Sequence, residues 1–231
     1  MDRRPHFFPL SAPFLAVLLG LLVALVVLVQ IGTLRYAYGE LGISATTAFV
    51  LLALELLGSG LNIPVAWMRS QPMVTARRVV VFGVVYVVPQ ILRPRETLIA
   101  VNVGGALIPA GVSVWVLDHT GAWTSSLAAA AVVTVGVKLV ARPVPGVGIV
   151  VPALLPAVLA AAAALVVASP HDAAAAAYVS GTAGTLIGAD LLNLHRIRAL
   201  GAPVASIGGA GTFDGIFITG IVAVVLVSVS R

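Results

Sequence analysis

Long apolar runs separated by short polar segments dominate this chain of 231 residues. Runs long enough to cross a bilayer, about 20 residues each, recur near 13–34, 45–67, 99–117, 124–141, 148–168, 173–194 and 212–229. The pattern predicts an all-α integral membrane protein of about seven transmembrane helices, a single polytopic domain over 1–231. The first run is too long for a signal peptide, and no small-residue cleavage site follows it. One segment departs from the pattern. Over 69–98, RSQPMVTARRVVVFGVVYVVPQILRPRETL, Val, Phe and Tyr crowd a stretch broken by Gly83 and bounded by Pro89 and Pro94. Such composition favours strands, so a small cytoplasmic β-hairpin is expected between helices 2 and 3, lying at the membrane surface.

Composition agrees with a membrane setting. Hydrophobic residues make up 60% of the chain and charged ones 9%, with mean hydropathy +1.13. A soluble domain is about one quarter charged. The absence of cysteine excludes disulfides, thiolate metal sites and cysteine nucleophiles. A net charge of +5 would suggest nucleic acid in a soluble protein. Here the basic residues sit between apolar runs and report orientation instead. With a cytoplasmic N-terminus, all but Arg35 and Arg231 of the thirteen fall inside, and the C-terminus falls outside. The expected setting is a multi-pass protein of the cell membrane, its partner the lipid bilayer and not nucleic acid.

Three stretches concentrate Gly, Pro and Asn within or beside the apolar runs: GSGLNIPV (58–65), VNVGGALIPAG (101–111) and PVPGVGIVVPALLP (143–156). Irregular backbone at membrane depth is tolerated where protein or a water-filled cavity covers it, and broken helices form binding sites in transporters. Asn62, Asn102, Pro152, Ala153 and Leu154 are therefore candidate cavity residues.

Carboxylates inside apolar runs are costly unless paired or solvated, and function by default. Glu55, Asp190 and Asp214 qualify. In AYVSGTAGTLIGADLLNLHR, Ser180, Gly184 and Gly188 recur every fourth residue, a small-residue face for close helix packing. Asp190 lies about 200° around the helix from Gly188, with Asn193 on its own face. It sits near a helix C-terminus, where the dipole disfavours negative charge. In GAGTFDGIF, Thr212 suits an N-cap and Asp214 the first turn, where free N–H groups favour an anion. Acids in opposite environments suit divided acid and base roles. The loop SIGGAG, with Gly208, Gly209 and Gly211, could form an anion-binding nest. His195 is the one histidine near these acids, so no metal site or cofactor is expected. A structural pairing of the acids with Arg196 or Arg198 is the plainer alternative.

GTFDGIF resembles the start of the second catalytic helix of the GxGD intramembrane aspartyl proteases, the presenilin and signal peptide peptidase class. The resemblance implies a dyad of Asp190 and Asp214, with transmembrane helices as substrates. Pro152-Ala153-Leu154 matches that family's Pro-Ala-Leu motif but precedes the aspartates instead of following them. Phe213 and Ala189 stand where the family has glycine and tyrosine. VNVGGALIP, GTLIGADLLNL and GGAGTFDGIFITGI resemble, over most of the chain, an uncharacterised prokaryotic family of polytopic membrane proteins, a domain of unknown function. The leading expectation is an intramembrane aspartyl hydrolase. A proton- or cation-coupled carrier using Glu55, Asp190 and Asp214 is the alternative, and a non-catalytic scaffold is the third reading.

Overall fold

The computed structural model describes residues 31–69, 73–81, 84–92, 96–144, 148–152, 154–197, 204–209 and 213–231, with backbone alone over 73–92 and 213–215. Helix α1 (Ile31–Glu40) meets α2 (Ala45–Gly58) at 115°. Gly42 makes the elbow in the left-handed region, φ 79°, where a side chain would be strained. Ser44 then caps α2, its hydroxyl accepting the N–H of Thr47 at 3.2 Å. Strand β1 (Asn62–Met68) follows, then β2 (Met73–Val81), β3 (Val84–Leu92) and β4 (Thr97–Asn102). A single π-helical turn, Val103–Leu107, leads into α3 (Ile108–Thr120).

Next come α4 (Trp123–Val140), a short ribbon of β5 (Arg142–Val144) and β6 (Gly148–Val150), and α5 (Leu155–Val167). Helix α6 (Ala173–Thr185) runs into a second π segment, Leu186–Asp190, a 3-10 turn, Leu191–Asn193, and the one-turn α7 (Leu194–Ile197). The chain ends with β7 (Val204–Ile207) and α8 (Phe213–Val229).

Three strands form one sheet in the order β1-β4-β7. β1 pairs antiparallel with β4 from Asn62↔Asn102 to Met68↔Thr97, with an irregularity at Pro64–Ala66. Proline has no N–H for the ladder, which is why such breaks form around it. β7 joins β4 in parallel, Leu98↔Val204 through Val101↔Ile207. β2 and β3 pair separately as an antiparallel hairpin from Met73↔Leu92 to Val81↔Val84. The Val-rich stretch expected to form a hairpin does so, while its last residues, from Thr97, belong to the other sheet.

The expectation of an all-α protein with seven transmembrane helices is overturned, the three-stranded sheet correcting its first part. Among the described residues one helix, Trp123–Val140, is long and apolar enough to cross a membrane, or two if the bent pair α1–α2 counts as a span. The apolar runs are longer than the helices inside them. The run 45–67 stops being helical at Gly58 and continues as β1, and 99–117 begins as a strand and a π turn. α5 and α6 have 13 residues each, about 20 Å at 1.5 Å per residue, against a hydrocarbon core of roughly 30 Å.

α6 is the centre of the bundle. All but one of its residues are buried, with α4, α8, α5 and α3 packed against it. Its sequence, AAAAAYVSGTAGT, combines high helix propensity with little bulk. A Cβ on Gly184 would lie 2.7 Å from the Val133 Cβ, and one on Gly188 2.6 Å from the Thr134 carbonyl, both on α4. The small-residue face therefore meets α4, as its spacing suggests. Gly184→Val should overpack this seam and cost about 1–3 kcal/mol, read as a lower thermal midpoint of the purified protein. Gly111→Ala, where an added Cβ meets nothing within 4 Å, should leave the midpoint unchanged or raise it. Equal effects would show that the α4–α6 seam yields.

Candidate functional site

The Gly- and Asn-rich stretches converge at one end of the three-stranded sheet. Asn62 opens β1 and Asn102 closes β4, and the pairing sets them opposite one another. Asn102 is buried, and its amide is fully engaged. Its Nδ2 donates to the Ser59 carbonyl at 2.7 Å and to Asn62 Oδ1 at 3.1 Å, and its Oδ1 accepts the Gly105 N–H at 2.7 Å. That last bond caps the π turn as an N-cap residue caps a helix. Ser206, near the end of β7, donates its hydroxyl to Asn62 Oδ1.

Glycines let the backbones meet. A Cβ on Gly58 would lie 2.9 Å from the Gly104 nitrogen, so the end of α2 and the π turn pack main chain to main chain. Gly208 stands at φ 67°, and a Cβ there would lie 2.6 Å from the Gly105 carbonyl oxygen. Both the left-handed backbone and the close approach require glycine.

Asp190 joins this cluster from below. Its carboxyl is buried, and Oδ2 accepts the Gly208 N–H at 2.7 Å. This bond ties the end of the second π segment to the loop that leads into α8. Among the described residues no cation pairs with Asp190, and the loop amide takes that place. Leu186, one turn before Asp190, packs with Ala106 and with Ile216, two residues beyond Asp214. Asp214 is the second residue of α8; its side chain, like Gly211 and Ala153, lies outside the described residues.

The structure thus gathers Asn62, Asn102, Asp190, Gly208 and Gly209, but not every candidate. Asn193 does not accompany Asp190. Its Nδ2 donates to the Gly188 and Ala189 carbonyls, both at 2.9 Å, and its Oδ1 accepts from Lys138 Nζ at 2.7 Å. Lys138 also caps the Leu192 carbonyl, a cation at a helix C-terminus. π and 3-10 segments cover Leu186–Asn193, so the α-helical spacing behind the expected shared face does not apply there. Pro152 and Leu154 lie exposed before α5, and β6 packs on the second π segment. Glu55 shares α2 with Gly58 but turns its side chain toward Tyr38 of α1 and Tyr178 of α6.

Sequence reasoning missed Ser59, Ser206, Lys138 and the two tyrosines. Ser206 could have been found beside the glycine loop it precedes, and Lys138 as the single lysine of the chain. The tyrosines carry no local signal.

The chain belongs to the family described as "Protein of unknown function (DUF1614)", which matches residues 56–226. The match spans β1 to α8 and so includes Asn62, Asn102, Asp190 and the glycine loop. No curated protein and no solved structure matches the chain.

Asn102→Leu should strand the Ser59 carbonyl and the Gly105 N–H. At about 1–3 kcal/mol for each buried group left unsatisfied, it should lower the thermal midpoint well beyond Asn62→Ala. Comparable midpoints for the two variants would show that the Asn102 amide does not hold the sheet to the π turn.

Proposed function

We propose that this protein is a membrane-embedded, multi-pass aspartyl hydrolase in which Asp190 and Asp214 together activate a water molecule. The observation that supports this reading is the bond from the Gly208 N–H to Oδ2 of the buried Asp190 carboxyl group. It anchors one acid to the loop that begins the helix bearing the other. Large exposed apolar side chains on α2, α4 and α5, among them Leu57 at 75%, Leu139 at 79% and Val166 at 84%, suit a surface covered by lipid.

Each acid has a role in this reading. Asp214, in the first turn of α8, is the base and takes a proton from water. The resulting oxygen nucleophile attacks the scissile carbonyl carbon. Asp190, buried beyond the C-terminal end of α6, is the acid that donates its proton to the carbonyl oxygen. Collapse of the tetrahedral diol returns one hydroxyl proton to Asp190 and breaks the C–N bond, and the amine leaves with the proton that Asp214 received. The substrate class is a peptide bond within a transmembrane segment, and the chemistry requires only these carboxyl groups and water.

Asp190→Asn and Asp214→Asn should each lower cleavage of a model transmembrane peptide in detergent by about 10²–10⁴-fold. The double variant should fall little further, because members of one catalytic unit are non-additive. Thermal midpoints near wild type would place the loss in chemistry and not in folding. Wild-type cleavage by either single variant would end the hydrolase reading.

A further inference from the structure

A second acid is buried away from this cluster. Glu55, in the last turn of α2, is fully buried; neither carboxyl oxygen makes a hydrogen bond of normal geometry, and the Tyr38 hydroxyl lies near it. Tyr38 of α1 and Tyr178 of α6 face it. Their ring centroids are 6.5 Å apart and inclined at 50°, and the Tyr38 hydroxyl is also without a hydrogen bond of normal geometry. The Tyr178 hydroxyl continues the polar line to Thr182. Around these groups the lining is hydrocarbon: Ala37, Leu41, Ala48, Val112, Ala174 and Ala175.

Among the described residues, the charged groups of α1 and α3 turn elsewhere, Asp118 being exposed. Glu40 of α1 accepts from Ser228 at the surface, and Arg35 borders a separate groove beside Phe49 and Leu52. His119 of α3 stacks on Trp115. Glu55 is the only ionisable residue of α2, and α6 offers Tyr178 alone. An ionised carboxylate buried without a partner is costly, and a neutral one is tolerated. A large apolar groove of about 580 Å³ between α2 and α3 reaches Leu51 and Leu54, beside Glu55 on α2.

We infer that Glu55, Tyr38 and Tyr178 form a reversible proton-binding site, in which the un-ionised Glu55 carboxyl is the resting form and the apolar groove gives access to it. The site is independent of the hydrolase reading. It connects with the polar cluster, because the Glu55 carbonyl accepts the Ser59 N–H at 2.9 Å, and the Ser59 carbonyl accepts from Asn102.

The test uses the full chain in detergent or nanodiscs. The infrared difference between wild type and Glu55→Gln should contain, at neutral pH, the C=O stretch of one un-ionised carboxyl group. The stretch should shift in deuterated buffer, vanish on alkaline titration and return on reacidification. Sodium at constant pH should not alter it. If Glu55→Gln does not fold, wild-type protein treated with dicyclohexylcarbodiimide and mapped by mass provides the same evidence. That apolar reagent takes the proton of a carboxylic acid on nitrogen while the carboxyl oxygen adds to its central carbon. Labelling should fall on Glu55 and decline as the pH rises. A carboxylate band at neutral pH, a carboxyl that never ionises in the folded protein, protection by sodium, or labelling that spares Glu55 would each overturn the proposal.

Discussion

A helix enclosed by other helices must be thin, and α6 is enclosed. Its burial on all sides leaves room for alanine, glycine, serine and threonine, and for few larger side chains. Gly184 and Gly188 bring it against the backbone of α4, and Gly181 brings it near Thr219 and Gly220 of α8. Tyr178 is the conspicuous exception, and Gly220 makes space for its ring. Because α6 fixes where α4, α5 and α8 lie, it also determines where its own continuation, the π segment ending in Asp190, can go.

Two π turns perform related tasks at the ends of that framework. Val103–Leu107 changes β4 into α3, and Leu186–Asp190 carries α6 toward the sheet. A π turn admits an additional residue within helical hydrogen bonding, so it re-aims the side chains that follow. Asp190 consequently reaches the Gly208 amide, while Asn193 turns back on its own helix and meets Lys138. The polar groups at the sheet end are linked by main-chain amides as much as by side chains.

Much of this convergence was legible in the sequence. Asn62, Asn102, Asp190 and the glycine loop stood out because polar and flexible residues are conspicuous against an apolar background, and the structure brings them together. Helix lengths were not legible. A run of Val, Leu and Ile is equally apolar as helix or strand, so Asn62–Met68 and Thr97–Asn102 vanished into supposed spans. The partner of Asp190 was also hidden, since an amide eighteen residues away leaves no local trace. Tyr38, Glu55 and Tyr178 are far apart in the chain and meet only after α1, α2 and α6 pack.

The hairpin β2–β3 has a particular place in the connectivity. β1 and β4 are themselves neighbours, and Met68 pairs with Thr97, so the chain leaves and re-enters the three-stranded sheet across one ladder step of about 5 Å. Everything between those residues is an appendage on a closed frame. A change in its length can therefore be absorbed without moving the geometry around Asn62 and Asn102 at the far end of the ladder. The hairpin is thus held at the opposite end of the same two strands from Asn62 and Asn102.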